Sequence, residues 1–471
     1  MGIIVYLGWA AGLYRLGFPL DDAWIHQTYA RNLVEHGEWA FTPGNPSAGS
    51  TSPLWSLLQA GGHVVGIRPV VWSALLGLGF LVLAGNMAAR WWQVQTPGRT
   101  WHAGLVGLVL VWEWHLLWAS LSGMEILAVS TVSMGALILL GRDQVPWFWV
   151  GTLIGLGVWL RPDSLSLLLP VGWVLLFKKD SWRGLLKDAV SLTVGLTALC
   201  LPYLIFNQLL SGTVWPTTFY AKQTEYQILT QAPLIRRLGA QFMQPLIGVG
   251  SLVVPGLFVV FFERIRDRSW ARLAPFVWIA GFLSAYALRL PVTYQHGRYA
   301  MPVIPVVLVL GLVGIGRLLQ PQSRDFLRRV LSRAWLLAAA VTTLVFAGLG
   351  ARSFATDVAI IETEMVRTAK WVERNTESDA LIAAHDIGAL GYYGDRRILD
   401  LAGLVSPDVI GFMRDEAALA DHLDQRGADY LMTFPGWYPQ LVQMAERIYS
   451  TESEFSPLAG GENMTLYRWG R

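Results

Sequence analysis

Residues 189–221 read AVSLTVGLTALCLPYLIFNQLLSGTVWPTTFYA and contain no Asp, Glu, Lys or Arg. A helix needs about 20 consecutive apolar residues to cross the hydrocarbon core of a bilayer, so this run is long enough to span one. Residues 238–262 and 299–316 are likewise free of those four residue types. The whole chain agrees: of 471 residues, 54% are hydrophobic and 15% charged, whereas a soluble domain carries about 25% charged residues. The composition is that of a polytopic α-helical membrane protein.

Working outward from the first run, apolar segments predict about eleven spans, near 2–18, 70–89, 103–121, 124–140, 147–160, 163–177, 189–210, 246–262, 273–289, 299–316 and 334–351. The N-terminus reads as the first span, since no cationic leader and cleavage site precede it, although it is short and Arg15 interrupts it. Residues 53–67 are too short for a span and contain Gly61, Gly62 and His63, so they read as an interfacial or re-entrant helix. The single cysteine, Cys200, rules out a disulfide framework.

With a cytoplasmic N-terminus, the inner loops carry sixteen Lys and Arg, Arg99 and Lys179 among them, and the outer loops carry eight. That bias is the one expected of a plasma-membrane protein in this orientation. From Arg352 the charged residues return. Helix-like pieces (363–375 and 415–427) alternate with strand-like ones (380–384, 397–401, 428–434 and 464–470). The chain thus divides into a membrane domain, 1–351, whose first outer loop is 19–69, and a small α/β domain, 352–471, outside the cytoplasm.

Ionisable groups then gather on the outer face. Asp21 and Asp22 follow the first span, Glu125 sits in SGMEILA, Arg161 and Asp163 in RPDS, Tyr220 and Lys222 in WPTTFYAK, and His296 and Arg298 in YQHGRYAMPVIP. Each has an unremarkable alternative. Aspartate caps helices, an Arg–Asp pair closes a turn, and lysine or arginine near a span end reaches to headgroups. Two adjacent aspartates exceed what a cap needs, and charge at membrane depth usually marks function. Glu113 and His115 fall mid-span; they face a polar cavity or satisfy each other inside the bundle. The loop 37–55, uncharged after Glu38 and rich in aromatic residues, reads as a lid that dips back to the membrane.

The phrases DDAWIHQTYARNLVEHGEWAFTPG (21–44), SGMEI, RPD, PTTFYAK, HGRYAMPVIP and DIGALGYYGDRRILDLAGL (386–404) resemble, in that order, the GT-C superfamily of membrane glycosyltransferases. They are most similar to the bacterial branch of terminal arabinofuranosyltransferases, although the C-terminal domain is smaller than in those enzymes. The resemblance implies transfer of a sugar from a polyprenyl-phosphate carrier to a glycan, lipid or protein acceptor, with inversion. Membrane lipid is then a partner and nucleic acid is not. It also implies a catalytic Asp22 or Asp21 as general base, and donor-phosphate binding by Lys222, Arg298 and His296. Glu125, Asp163, Tyr220 and His26 would orient sugar or acceptor. Asp22 is favoured over Asp21 because a helix starting there sets His26 one turn away on the same face. A divalent cation (Mg, Mn or Ca) between Asp22 and Glu125 is left open. The rival classes are a lipid-linked glycan transporter, which needs mid-depth charge and inverted repeats, and a non-catalytic envelope assembly protein. No repeat is visible.

Overall fold

The computed structural model describes residues 1–97, 100–178, 181–319 and 322–470; Arg99 and Lys179 lie outside them. The chain is mostly helical and multi-pass. Among the described residues, five helical stretches are long and apolar enough to cross a membrane: Pro69–Gln95, Trp182–Ser211, Trp270–Arg289, Tyr294–Leu318 and Phe326–Asn375. Two bent pairs, His102–Val111 with Trp114–Leu121 (57°) and Leu234–Leu246 with Val249–Arg266 (102°), bring the number to seven when each pair is counted as one span. The remaining expected spans are apolar helices of 10–17 residues, Gly2–Leu13, Ile126–Leu140, Trp147–Leu160 and Pro162–Phe177. Of these, Trp147–Leu160 and Pro162–Phe177 match the expected runs closely, while the first helix stops at Leu13, five residues short of the expected 2–18.

The first bend explains the mid-span charges. Glu113 ends one helix segment and caps the next: its Oε2 accepts from the Leu116 amide at 2.9 Å, and Oε1 lies 2.7 Å from His115 Nδ1. Both residues are buried, and they pair through His115 Nδ1 where the helical ladder is interrupted, while His115 Nε2 has no partner among the described residues.

Outside the spans, the loop after the first helix forms a helix, Asp22–His36, a two-strand hairpin of β1 (Ala40–Thr42) and β2 (Asn45–Pro46), and a second helix, Pro53–Val64. The C-terminal region builds a five-stranded sheet from β3 (Leu381–Ala384), β4 (Arg397–Asp400), β5 (Tyr430–Thr433), β6 (Glu446–Ser450) and β7 (Thr465–Arg468), in the order β4-β3-β5-β7-β6. β3 runs parallel to β4 and β5, while β7 is antiparallel to β5 and β6. Helices Gly388–Tyr393 and Glu416–Arg426 make the crossovers.

The chain has no break at residue 352. The last apolar helix continues to Ile361, widens into a π-turn at Glu362–Val366, and runs on as Arg367–Asn375. The turn lodges two buried glutamates. Glu362 pairs with Arg15 at the end of the first helix, and Glu364 accepts from the Met464 amide at 2.7 Å and from Asn463 at 3.1 Å. The sheet region and the loop after the first helix also share a core: Trp24 packs at 4.9 Å from the rings of Phe18 and Tyr392 and at 4.8 Å from Tyr393. Burial of such aromatic side chains dominates interface energetics.

Candidate active site

The two aspartates face different partners. Asp21 occupies the N-cap position of its own helix but makes no side-chain bond there. Its Oδ2 instead accepts from the Gly388 amide at 2.7 Å, and its Oδ1 from the Ala389 amide at 2.8 Å. It ties the loop after the first helix to the crossover helix after β3. Asp22 points into a cavity of about 410 Å3. Its Oδ2 accepts from Arg298 Nη2 at 2.8 Å and lies 3.3 Å from Lys222 Nζ. Burial acts to raise the Asp22 carboxyl, but Lys222 and Arg298 outweigh it and hold the group well below the usual carboxylate range. Burial likewise acts against charge on Lys222, and Asp22 reverses that, leaving its ammonium stabilised.

Local backbone aims these cations. Lys222 rides on the short helix Thr217–Glu225, whose first turn is set by Pro216. Arg298 follows three residues with positive φ: Gln295 (53°), His296 (58°) and Gly297 (63°). Such a turn is costly for non-glycine residues. It sends His296 to Asp357, at 2.8 Å, between Trp114 and Trp118, and Arg298 to the opposite task. Arg298 is 6% exposed, and its Nε and Nη1 have no partner among the described residues. Two buried guanidinium donors left unpaired next to a lysine make a site for an anion.

Further around the cavity, Glu125 follows the tight turn at Gly123 (φ 75°) and is 3% exposed. Its Oε2 has no hydrogen-bond partner among the described residues. His26 Nε2 approaches that oxygen at 3.6 Å, beyond hydrogen-bond reach, while His26 Nδ1 is held by Ser56 Oγ at 2.9 Å. Burial lowers the pKa of His26, with Glu125 opposing, so the ring stands neutral behind the carboxylate. Arg161 lies 3.8 Å from Glu125 and 2.8 Å from Asp163, and the Tyr286 hydroxyl bonds both Arg161 and Asp163.

Of the residues expected from sequence, Asp22, Lys222, Arg298, Glu125 and Asp163 line the cavity together; Asp21, His26, Tyr220 and His296 do not. The sequence reading missed Tyr286 and Tyr299 as lining residues. Tyr299 adjoins Arg298, whose guanidinium lies 5.1 Å from its ring centroid. Apart from that adjacency, nothing in an apolar span marks a tyrosine as polar lining. The remaining wall is largely apolar, with Met124, Leu165, Trp215 and Phe219, and includes the polar Thr51, Thr218, Gln223 and Arg289. A charged floor under an apolar wall suits a ligand with an anionic head and a hydrocarbon tail.

The donor set does not fit a divalent cation. Among the described residues no three of His, Cys, Asp and Glu come together as ligands. Asp22, one of the two expected ligands, already faces two cations, and a dication there would add positive charge beside them.

Residues 334–467 match a family model described as a domain of unknown function (DUF8728). No curated protein matches the chain. Among solved structures, ArnT from Cupriavidus metallidurans in the apo state superposes with a TM-score of 0.63 at 14% identity, over 98% of this chain and 95% of ArnT. The same protein bound to undecaprenyl phosphate gives 0.63 at 13% identity, over 99% and 96%. The arabinofuranosyltransferase AftD from mycobacteria gives 0.47 at 16% identity, over all of this chain and 39% of AftD. The likeness to ArnT is one of fold: this chain shares that protein's fold over nearly its whole length.

Proposed function

We propose that the protein is an integral-membrane glycosyltransferase of the plasma membrane. It moves a sugar from a polyprenyl-phosphate carrier to a hydroxyl of a cell-envelope glycan, lipid or protein on the extracytoplasmic face, with inversion. The observation that carries this reading is the pair of unpartnered, buried guanidinium nitrogens of Arg298 beside Lys222, under an apolar wall. Support also comes from ArnT, which shares the fold and was solved with undecaprenyl phosphate.

In this reading the donor phosphate binds Lys222 and Arg298 through donors that Asp22 does not use. An acceptor oxygen attacks the anomeric carbon; that C–O bond forms as the bond to the phosphate oxygen breaks, and the electron pair leaves with the phosphate. The two cations stabilise the charge as it develops there. Asp22 takes the acceptor's proton. In the resting protein it is a weak base, because both cations hold it ionised. A bound phosphate competes for the same cations and raises the proton affinity of Asp22, so the base becomes competent once the donor is in place. Glu125 and Asp163, each with an unpartnered oxygen, accept hydrogen bonds from sugar hydroxyls, with Arg161 and Tyr286 fixing Asp163. No step is routed through a metal. The free Oε2 of Glu125 favours one second reading, with Glu125 as the base.

Titration of the purified protein with undecaprenyl phosphate tests the carrier site. Saturable binding, weakened tenfold or more by Lys222→Met, is expected; binding indifferent to that change removes the proposed phosphate site.

A further inference from the structure

A second cavity, of about 300 Å3, opens on the C-terminal domain. Its position follows from sheet topology. The chain leaves β3 for β4 on one side and then crosses to β5 on the other. The connections therefore diverge between the carboxyl ends of β3 and β5, where an open parallel sheet leaves a ligand-binding crevice. His385 is the first residue after β3, and Trp437 and Tyr438 follow β5; all three line the cavity, with Glu225, Glu416 and Arg414.

The chemistry of this crevice is mixed. Trp437 is 48% exposed, yet it is braced by the rings of His385 at 4.9 Å and Phe434 at 5.1 Å. The buried Tyr438 hydroxyl bonds His385 Nδ1 at 2.8 Å, and His385 Nε2 lies 3.5 Å from Glu225. A fixed, half-exposed indole is thus ringed by carboxylates, an imidazole, a phenol and a guanidinium. A sugar ring offers the complement, with an apolar C–H face to stack and a rim of hydroxyls that donate and accept. A nucleotide phosphate would meet two glutamates against one arginine. We propose that this crevice is a saccharide-binding subsite.

Its relation to the first cavity gives it a purpose. Glu225 lies three residues beyond Lys222 on one helix, a rise of about 4.5 Å. The loop after β3 is fixed at both ends, through His385 to Glu225 and through Gly388 and Ala389 to Asp21. A saccharide held here is the acceptor; that role rests on the proposed transfer, whereas the binding chemistry does not.

The test uses the full chain in detergent micelles on an array of pentose and hexose oligosaccharides, followed by calorimetric titration with the strongest binder. Wild type is expected to bind. Trp437→Ala should weaken binding tenfold or more, Trp437→Phe should keep most of it, and Glu225→Gln should weaken it severalfold. Undecaprenyl phosphate binding retained by Trp437→Ala shows that this variant is folded. Failure of wild type to bind any oligosaccharide, or equal binding by a folded Trp437→Ala, overturns the subsite. Failure of wild type to bind undecaprenyl phosphate speaks against the transferase reading instead, and leaves the saccharide result to stand alone.

Discussion

Arg298 gives one guanidinium nitrogen to Asp22, at 2.8 Å, and holds Nε and Nη1 buried without a partner among the described residues. The bonded edge fixes the side chain and the free donors await an anion. Arg298→Lys keeps the charge but loses the fork. It should weaken undecaprenyl phosphate binding about tenfold, roughly the 1.4 kcal/mol of one charge-assisted hydrogen bond, as read by titration.

Asp22→Asn separates catalysis from binding. It removes the proposed base, so transfer should fall by about 10²–10⁴. It also removes the carboxylate that competes for Lys222 and Arg298, so bare undecaprenyl phosphate should bind more tightly than to wild type. Parallel loss of binding and turnover would instead mark Asp22 as part of the phosphate site.

The pH dependence of stability isolates Asp21. Burial pushes its carboxyl up to about 8, the charge of Asp386 adds to this, and the Ala389 and Gly388 amides oppose it. The folded protein therefore keeps a proton that the unfolded chain releases near pH 4. The stability this gives is complete below that pH and is lost as pH rises through about 8. Asn at this position does not titrate. The melting temperature of wild type relative to Asp21→Asn should fall between pH 5 and 8; a constant or rising difference contradicts the assignment.

Gly388 carries the close approach between the two halves of the chain. A Cβ there would run into the carbonyl oxygen of Asp21 and its Oδ2. Gly388→Ala should loosen the junction, seen as faster limited proteolysis between the last span and β3, and should lower transfer while leaving undecaprenyl phosphate affinity within about twofold.

Much of this was legible because charge and hydropathy report burial directly. Segments 380–384, 397–401, 428–434 and 464–470 became β3, β4, β5 and β7, and Gly427 (φ 67°) ends the helix Glu416–Arg426 as its position suggested. β6 was not foreseen: ERIYS is an antiparallel edge strand with two charged, exposed residues at its start, so it shows little of the apolar pattern that marks a strand. The membrane domain yielded its acids and cations but not their pairing. WPTTFYAK and HGRY gave Lys222 and Arg298, yet only the left-handed turn at Gln295–Gly297 separates Arg298 from His296, and no local signal in YQHG encodes it. For the same reason Asp21 read only as a candidate base beside Asp22, with capping as the alternative: its partners, Gly388 and Ala389, are more than 360 residues away.

The central claim is tested most directly by sugar transfer itself. Purified wild type and Asp22→Asn would be incubated with radiolabelled polyprenyl-phosphate sugars and a crude cell-envelope glycan. The account predicts label moving from lipid to glycan with wild type and at least a hundredfold less with Asp22→Asn. Transfer unaffected by the substitution, or no transfer from any donor in a panel that wild type binds, would contradict it and bring the transporter reading forward.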